Sequence, residues 1–257
     1  MEYSAFHISH CQLPKPELED EPGTWRIGLL ALASDAVVER DFRLMLGSED
    51  RVRVFCGRVR NAQSCTVTDL ASMLPRIAGG AADVASASTL QVMAFGCTSA
   101  TPIIGFPRIA DAIRQARPDI AVTTPYVAAE AALETLGVKR ISVLAPYIPE
   151  VSDIVIRSLE RSGYDIVSSA SLGLEFEEEF PRVGRETLLE AAVALDDPRA
   201  EAIFIPCTAV RAAEIVERLE ERTGKPALSG NQALLWHALR LAGCPFQASG
   251  YGRLFEL

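Results

Sequence analysis

"AFGCTSATP", residues 94–102, ends an apolar run in Gly96 and follows it at once with Cys97, Thr98 and Ser99. "FIPCTAVRAAE", residues 204–214, repeats the arrangement: Ile203, Phe204 and Ile205 run into Pro206, and then come Cys207 and Thr208. Each apolar run reads as a buried strand, and each Cys-Thr pair stands at its carboxyl end. In parallel α/β units that is where ligands bind. A helix is expected to start after each cysteine. Helix N-termini carry free N–H groups and positive potential, which favour anions and lower a thiol's pKa.

Outward from these two points the chain alternates. "WRIGLLAL" (25–32), "VRVFCGRV" (52–59), "TLQVMAF" (89–95) and "DIAVTT" (119–124) read as strands. "DAVVERDFRLMLG" (35–47) has helical spacing and a glycine stop; "DLASMLPRIAGG" (69–80) is helical with a proline interruption. A helix is expected from Cys97 to about Ala116, and another from Pro125 to Gly137. The pattern then recurs: "KRISVLAP", "YDIVSSASL" and "AEAIFIP" as strands, with helices in "PEVSDIVIRSLERSG", "GRETLLEAAVALDD", "TAVRAAEIVERLEERTG" and "NQALLWHALRLAG". Such alternation means parallel sheets covered by helices. Two halves of similar order point to a duplication that brings Cys97 and Cys207 to one cleft. The expected division is an extension over 1–24, a first lobe from 25–122 plus 229–257, and a second lobe from 123–228. The apolar Leu234, Leu235, Trp236 and Leu239 suit either the core or a dimer face.

Composition narrows the function. The chain has 257 residues, 49% of them hydrophobic, and a net charge of −9. That is enough for a full α/β core. The acidity speaks against nucleic acid, which calls for a basic stripe. No apolar run approaches the roughly 20 residues of a membrane span, and the first 25 residues do not read as a signal peptide. The six cysteines, Cys11, Cys56, Cys65, Cys97, Cys207 and Cys244, show no metal-binding spacing, and His7, His10 and His237 lie far from both Cys-Thr pairs. Free thiols, a cytoplasmic location and no metal are expected. Cys56, Cys65 and Cys244 read as buried packing residues.

The two Cys-Thr sites resemble those of the aspartate/glutamate racemase superfamily, in the branch that holds maleate cis-trans isomerase, arylmalonate decarboxylase and the ectoine-utilisation protein A family. "FGCTSATPIIG", "TPYVAAEAALETLGVKRISVLAPY", "LGLEFEEEFPRVGRETL" and "IPCTAVRAAEIVERLEERTGKPALSGNQALLWHAL" carry the likeness. It implies an α/β fold of two Rossmann-like lobes with parallel sheets, related by a pseudo-two-fold, with the active site between them. It also implies chemistry without a cofactor on a small carboxylate, with Cys97 and Cys207 as the catalytic pair. Substrate would be held by Ser34, Asp35, Thr98, Ser99, Tyr126, Glu177, Thr208 and Ala209, Tyr126 through its hydroxyl. A homo-oligomer is expected. Two positions depart from the isomerase pattern: Asp35 and Glu177 stand where that enzyme has asparagines.

Two carboxylates in a low-dielectric cleft repel a dianion such as maleate and attract an ammonium group. The expected activity is therefore a two-cysteine racemase or epimerase of an amino acid or ectoine-derived amino acid. The alternatives are a maleate-type cis-trans isomerase and a small-molecule binding protein of ectoine utilisation without turnover. Decarboxylation needs only one cysteine, and this chain keeps both.

Overall fold

A computed structural model of the chain describes residue 17 and residues 22–257. The extension expected over 1–24, with His7, His10 and Cys11, falls almost wholly outside the described residues.

Strands β1 (Trp25–Leu32), β2 (Val52–Val59), β3 (Val92–Gly96) and β4 (Ala121–Thr123) form one sheet; β5 (Arg140–Tyr147), β6 (Asp165–Leu174), β7 (Ala202–Ile205) and β8 (Ala227–Ser229) form the other. Every pairing is parallel. The orders are β2-β1-β3-β4 and β6-β5-β7-β8, so adding four to each number in the first gives the second. The chain is thus two α/β lobes with equivalent topology. β3 and β7 hold equivalent places, and so do β1 and β5. The central strands are buried on both faces because helices cover them: Val92 to Phe95 and Ala202 to Phe204 are fully buried.

The helices are α1 (Val38–Leu46), α2 (Val67–Ala71), α3 (Leu74–Asp83), α4 (Ala100–Ile104), α5 (Phe106–Ala116), α6 (Pro125–Thr135), α7 (Pro149–Arg161), α8 (Arg185–Ala194), α9 (Val216–Thr223) and α10 (Gly230–Leu241). Thr124 caps α6 by accepting from the Val127 amide, with Pro125 in the first turn. Ser229 and Gln232 form a capping box at α10. The chain crosses from the first sheet to the second between α6 and β5, and returns from β8 straight into α10. α10 packs on α1, α6 and β3. Leu234, Leu235, Trp236 and Leu239 on it are all buried within this chain, so the expected option of a dimer face does not hold.

Three local expectations are corrected. The helix after Cys97 is two helices, split at Gly105, whose φ of 94° interrupts the helical backbone. The helix expected directly after Cys207 starts only at Val216, after a short 3-10 turn over Ala213–Ile215. β8 has no counterpart in the sequence reading; its three residues give no periodicity to see.

Among the described residues no helix is long and apolar enough to cross a membrane.

Candidate active site

The carboxyl ends of the four central strands converge. Asp35 follows β1, Cys97 follows β3, Tyr147 ends β5 and Cys207 follows β7, and all four line one cavity. Cys65, Glu177 and the Thr98–Ser99 and Thr208–Ala209 segments complete its polar wall; Leu32, Leu70 and Phe180 form the apolar one. Each lining residue is less than a tenth exposed, Glu177 the most at 7%. The cavity is deeply buried.

The roof explains this. The loop before α2 meets the loop after β6 in a two-residue antiparallel bridge, Ser64 against Phe176. The Cys65 N–H donates to the Glu175 carbonyl at 2.7 Å, and the Glu177 N–H to the Gln63 carbonyl at 2.9 Å. One lobe is strapped to the other directly over the two cysteines.

Cys97 sits one residue beyond β3, with its Sγ 3.9 Å from the Ser99 hydroxyl. Burial pushes its thiol up to about 12, Glu177 and Asp35 add to the rise, and the Ala100 N–H and Ser99 hydroxyl oppose it. Cys207 has φ of 140°, a strained value for a side-chain-bearing residue. The strain turns the chain so that the Ala209 N–H donates to the Cys207 sulfur at 3.3 Å. Burial raises this thiol also, and the Ala209 N–H and Tyr147 hydroxyl counter it. The expected lowering of both thiols by helix N-termini is therefore reversed. α4 is a single five-residue turn and no helix starts at Cys207, so desolvation wins. The Thr208 hydroxyl donates to the Gly96 carbonyl at 3.3 Å and ties the two cysteine loops together.

Asp35 serves two purposes. Its Oδ1 accepts from the Val37 and Val38 amides at 2.7 and 2.9 Å, starting α1. Its Oδ2 is buried with no partner among the described residues, as is the Thr98 hydroxyl, and both residues line the cavity. Such orphans call for a ligand or water. Glu177 is pushed up to about 7, by burial first and then by Asp35, against hydrogen bonding from Ser34 and Asn61. The Ser34 hydroxyl donates to Glu177 Oε2 at 3.0 Å and accepts from Asn61 at 2.8 Å. Ser34 thus stands behind Glu177, outside the cavity lining.

Tyr126 is elsewhere. It lies on α6 with its hydroxyl 3.5 Å from Ser162 at the end of α7, and it does not line the cavity. The cavity's tyrosine is Tyr147, whose ring packs edge-on against Phe180 at 5.9 Å. The duplication pointed to it: Tyr147 ends β5, the equivalent of β1, whose end carries Asp35. Cys65 also departs from its expected packing role, since it is buried but lines the cavity. Cys244 is buried and Cys56 exposed. His237 shares a 2.8 Å contact with Thr123 and does not line the cavity. No cluster of three His, Cys, Asp or Glu side chains suited to a metal occurs among the described residues.

The Glu177 carboxyl carries a stability prediction. Its folded pKa of about 7 exceeds the usual 4.5, so its protonated form is the one the fold favours. The contribution is full below the unfolded value and is lost as pH rises through the folded one. Glu177→Gln is expected to stabilise the protein by about 2 kcal/mol at pH 8 and by little at pH 5. Thermal unfolding at both pH values checks it; an equal effect at the two would refute the assignment.

The profile of the arylmalonate decarboxylase family matches residues 74–255. Arylmalonate decarboxylase of Bordetella bronchiseptica is 31% identical over 137 residues, 52% of this chain and 57% of that protein. Maleate isomerase of Alcaligenes faecalis is 24% identical over 251 residues, 91% of this chain and 97% of that one. Maleate cis-trans isomerase of Nocardia farcinica, in a cysteine-to-serine variant with a covalently bound succinylcysteine intermediate, superimposes with a TM-score of 0.83 over 91% of this chain and 98% of that one; at 23% identity the likeness is one of fold.

Proposed function

The chain belongs to the arylmalonate decarboxylase family, and from that premise we propose that it is a two-cysteine cis-trans isomerase of a small unsaturated dicarboxylate of the maleate type. The observation that carries the reading is the pair of thiols, Cys97 and Cys207, at equivalent strand ends in one buried cavity. Curated relatives spanning nine-tenths of the chain are maleate isomerases, which favours this over the amino-acid racemase expected from sequence.

In this reading the Cys97 thiolate bonds to one olefinic carbon while the Cys207 thiol gives its proton to the other. The π bond becomes a single bond, and the adduct rotates about it. Cys207 then takes a proton back from the same carbon, the C–S bond breaks, and the trans isomer leaves with Cys97 again a thiolate. Nothing is consumed. The Thr98 hydroxyl, without a partner among the described residues, can donate to one carboxylate. Glu177, protonated below about pH 7, donates to the other instead of repelling it. Thiolates are disfavoured in the buried cavity, so Cys97 gives up its proton as substrate binds, to a substrate carboxylate, and recovers it as product leaves. A decarboxylase role, which needs one cysteine, leaves the second unexplained.

The test is maleate incubated with enzyme and followed by proton NMR. Growth of the fumarate signal supports the reading; its absence, together with α-proton exchange on an amino acid, replaces it. The orphan Asp35 Oδ2 favours that second reading, because an ammonium would satisfy it. A pH series separates the two. If the ligand is a dianion, binding of succinate is expected to weaken about fivefold between pH 7 and pH 8 as Glu177 loses its proton. Glu177→Gln should flatten that dependence. An amino-bearing ligand should instead bind more tightly over the same range.

A further inference from the structure

The first turn of α10 lies against the second cysteine loop. Asn231 is 1% exposed, and its side-chain amide donates twice: to the Thr208 carbonyl at 2.8 Å and to Asp41 Oδ2 on α1 at 2.8 Å. Neither Asn231 nor Asp41 lines the cavity. The peptide whose carbonyl Asn231 holds is the one whose N–H belongs to Ala209, and that N–H donates to the Cys207 sulfur at 3.3 Å. A peptide is planar, with its carbonyl and N–H pointing in opposite directions. Fixing one end of the unit fixes the other.

We propose that Asn231, anchored by Asp41, is the positioning residue of Cys207: through the shared peptide plane it aims the Ala209 N–H at the sulfur and so favours the thiolate there. Asp41 suits an anchor. It is 1% exposed and accepts one of the two Asn231 hydrogen bonds from the opposite side, so the amide cannot swing away from Thr208. The charged and titratable groups facing Asp41 are Arg40, Glu214, Asp35 and Tyr251. Those facing Cys207 are Asp35, Glu177, Tyr147, Cys65 and Cys97, and none of them orients the Ala209 N–H.

The assignment rests on the reading of Cys207 as the proton-exchanging thiol, but its primary test needs no substrate. Wild type and Asn231→Ala are treated with iodoacetamide at pH 8.5, and labelling of Cys207 and Cys97 is read by peptide mass spectrometry. Cys97 lines the same cavity and is the internal control for access. Loss of one N–H donor to the thiolate is expected to lower the Cys207-to-Cys97 labelling ratio about tenfold, roughly one unit of thiol acidity. Turnover, where a substrate is in hand, should fall similarly in kcat with KM unchanged. Should Asn231→Ala not fold, Asp41→Leu takes its place and should lower the ratio, whereas Asp41→Asn, which keeps an acceptor for the amide, should retain it. An unchanged ratio in a folded Asn231→Ala or Asp41→Leu protein overturns the proposal and leaves Asn231 a structural residue. A lowered ratio in a protein that isomerises nothing would preserve the positioning and refute the isomerase reading alone.

Discussion

Cys97→Ser is expected to lower turnover about 10³-fold or more, some 4 kcal/mol of barrier, without unfolding the protein. A serine hydroxyl is a far weaker nucleophile than a thiolate, and among the described residues no cation lines this cavity to help ionise it. Cys207→Ser is expected to fail differently. Cys97 can still form its bond to carbon, more slowly and with water in place of Cys207 supplying the proton to the neighbouring carbon, but the group that retrieves that proton is gone. The adduct should therefore accumulate on Cys97 and add the mass of one substrate molecule to the intact protein. Serine at Cys97 should give no such adduct. Steady-state rates and intact-protein mass spectrometry check both. Equal behaviour of the two variants would refute the division of roles between the cysteines.

Gly230→Ala is the second large effect. Glycine is required here by close approach: a Cβ would lie 2.9 Å from the Cys207 carbonyl oxygen and 3.2 Å from its carbonyl carbon and amide nitrogen. All three are backbone atoms, in the residue already strained at φ 140°. The first turn of α10 and the cysteine loop must move apart. The cost is expected at about 1–3 kcal/mol of stability. The displaced sulfur should cost a further factor of about 10–100 in turnover, since reacting groups tolerate little misplacement. Thermal unfolding and kcat measured on one preparation check it; wild-type values for both would show that the loop yields freely.

Much of the architecture was legible because strand–helix alternation is periodic and local. The recurrence of Cys-Thr at two strand ends located the cavity, and Asp35, Thr98 and Glu177 line it with the two cysteines. What failed depended on tertiary information. "TAVRAAEIVERLEERTG" has a helical pattern throughout, yet its first residues serve the Cys207 turn and its helix begins only at Val216. Tyr126 sits beside a strand end and looked equivalent to a ligand-binding tyrosine. The pseudo-two-fold selects Tyr147 instead. Cys65 stands in a loop with no cap or strand end to single it out; only the crossing of that loop by the segment after β6 brings it over the cysteines. The direction of the thiol pKa shifts was also missed, because depth of burial is not written in neighbouring residues.

The strap over the cavity sets a kinetic limit. Substrate that enters by way of the strap has to part the bridge between Ser64 and Phe176. Its two backbone hydrogen bonds are worth about 1–3 kcal/mol net. At that strength closed molecules outnumber open ones by about 5 to 150 to one. Encounters with the closed majority are unproductive, so the observed association rate is the intrinsic one divided by that ratio. Substitutions that loosen the strap would speed capture, and they would let water and product through the same door.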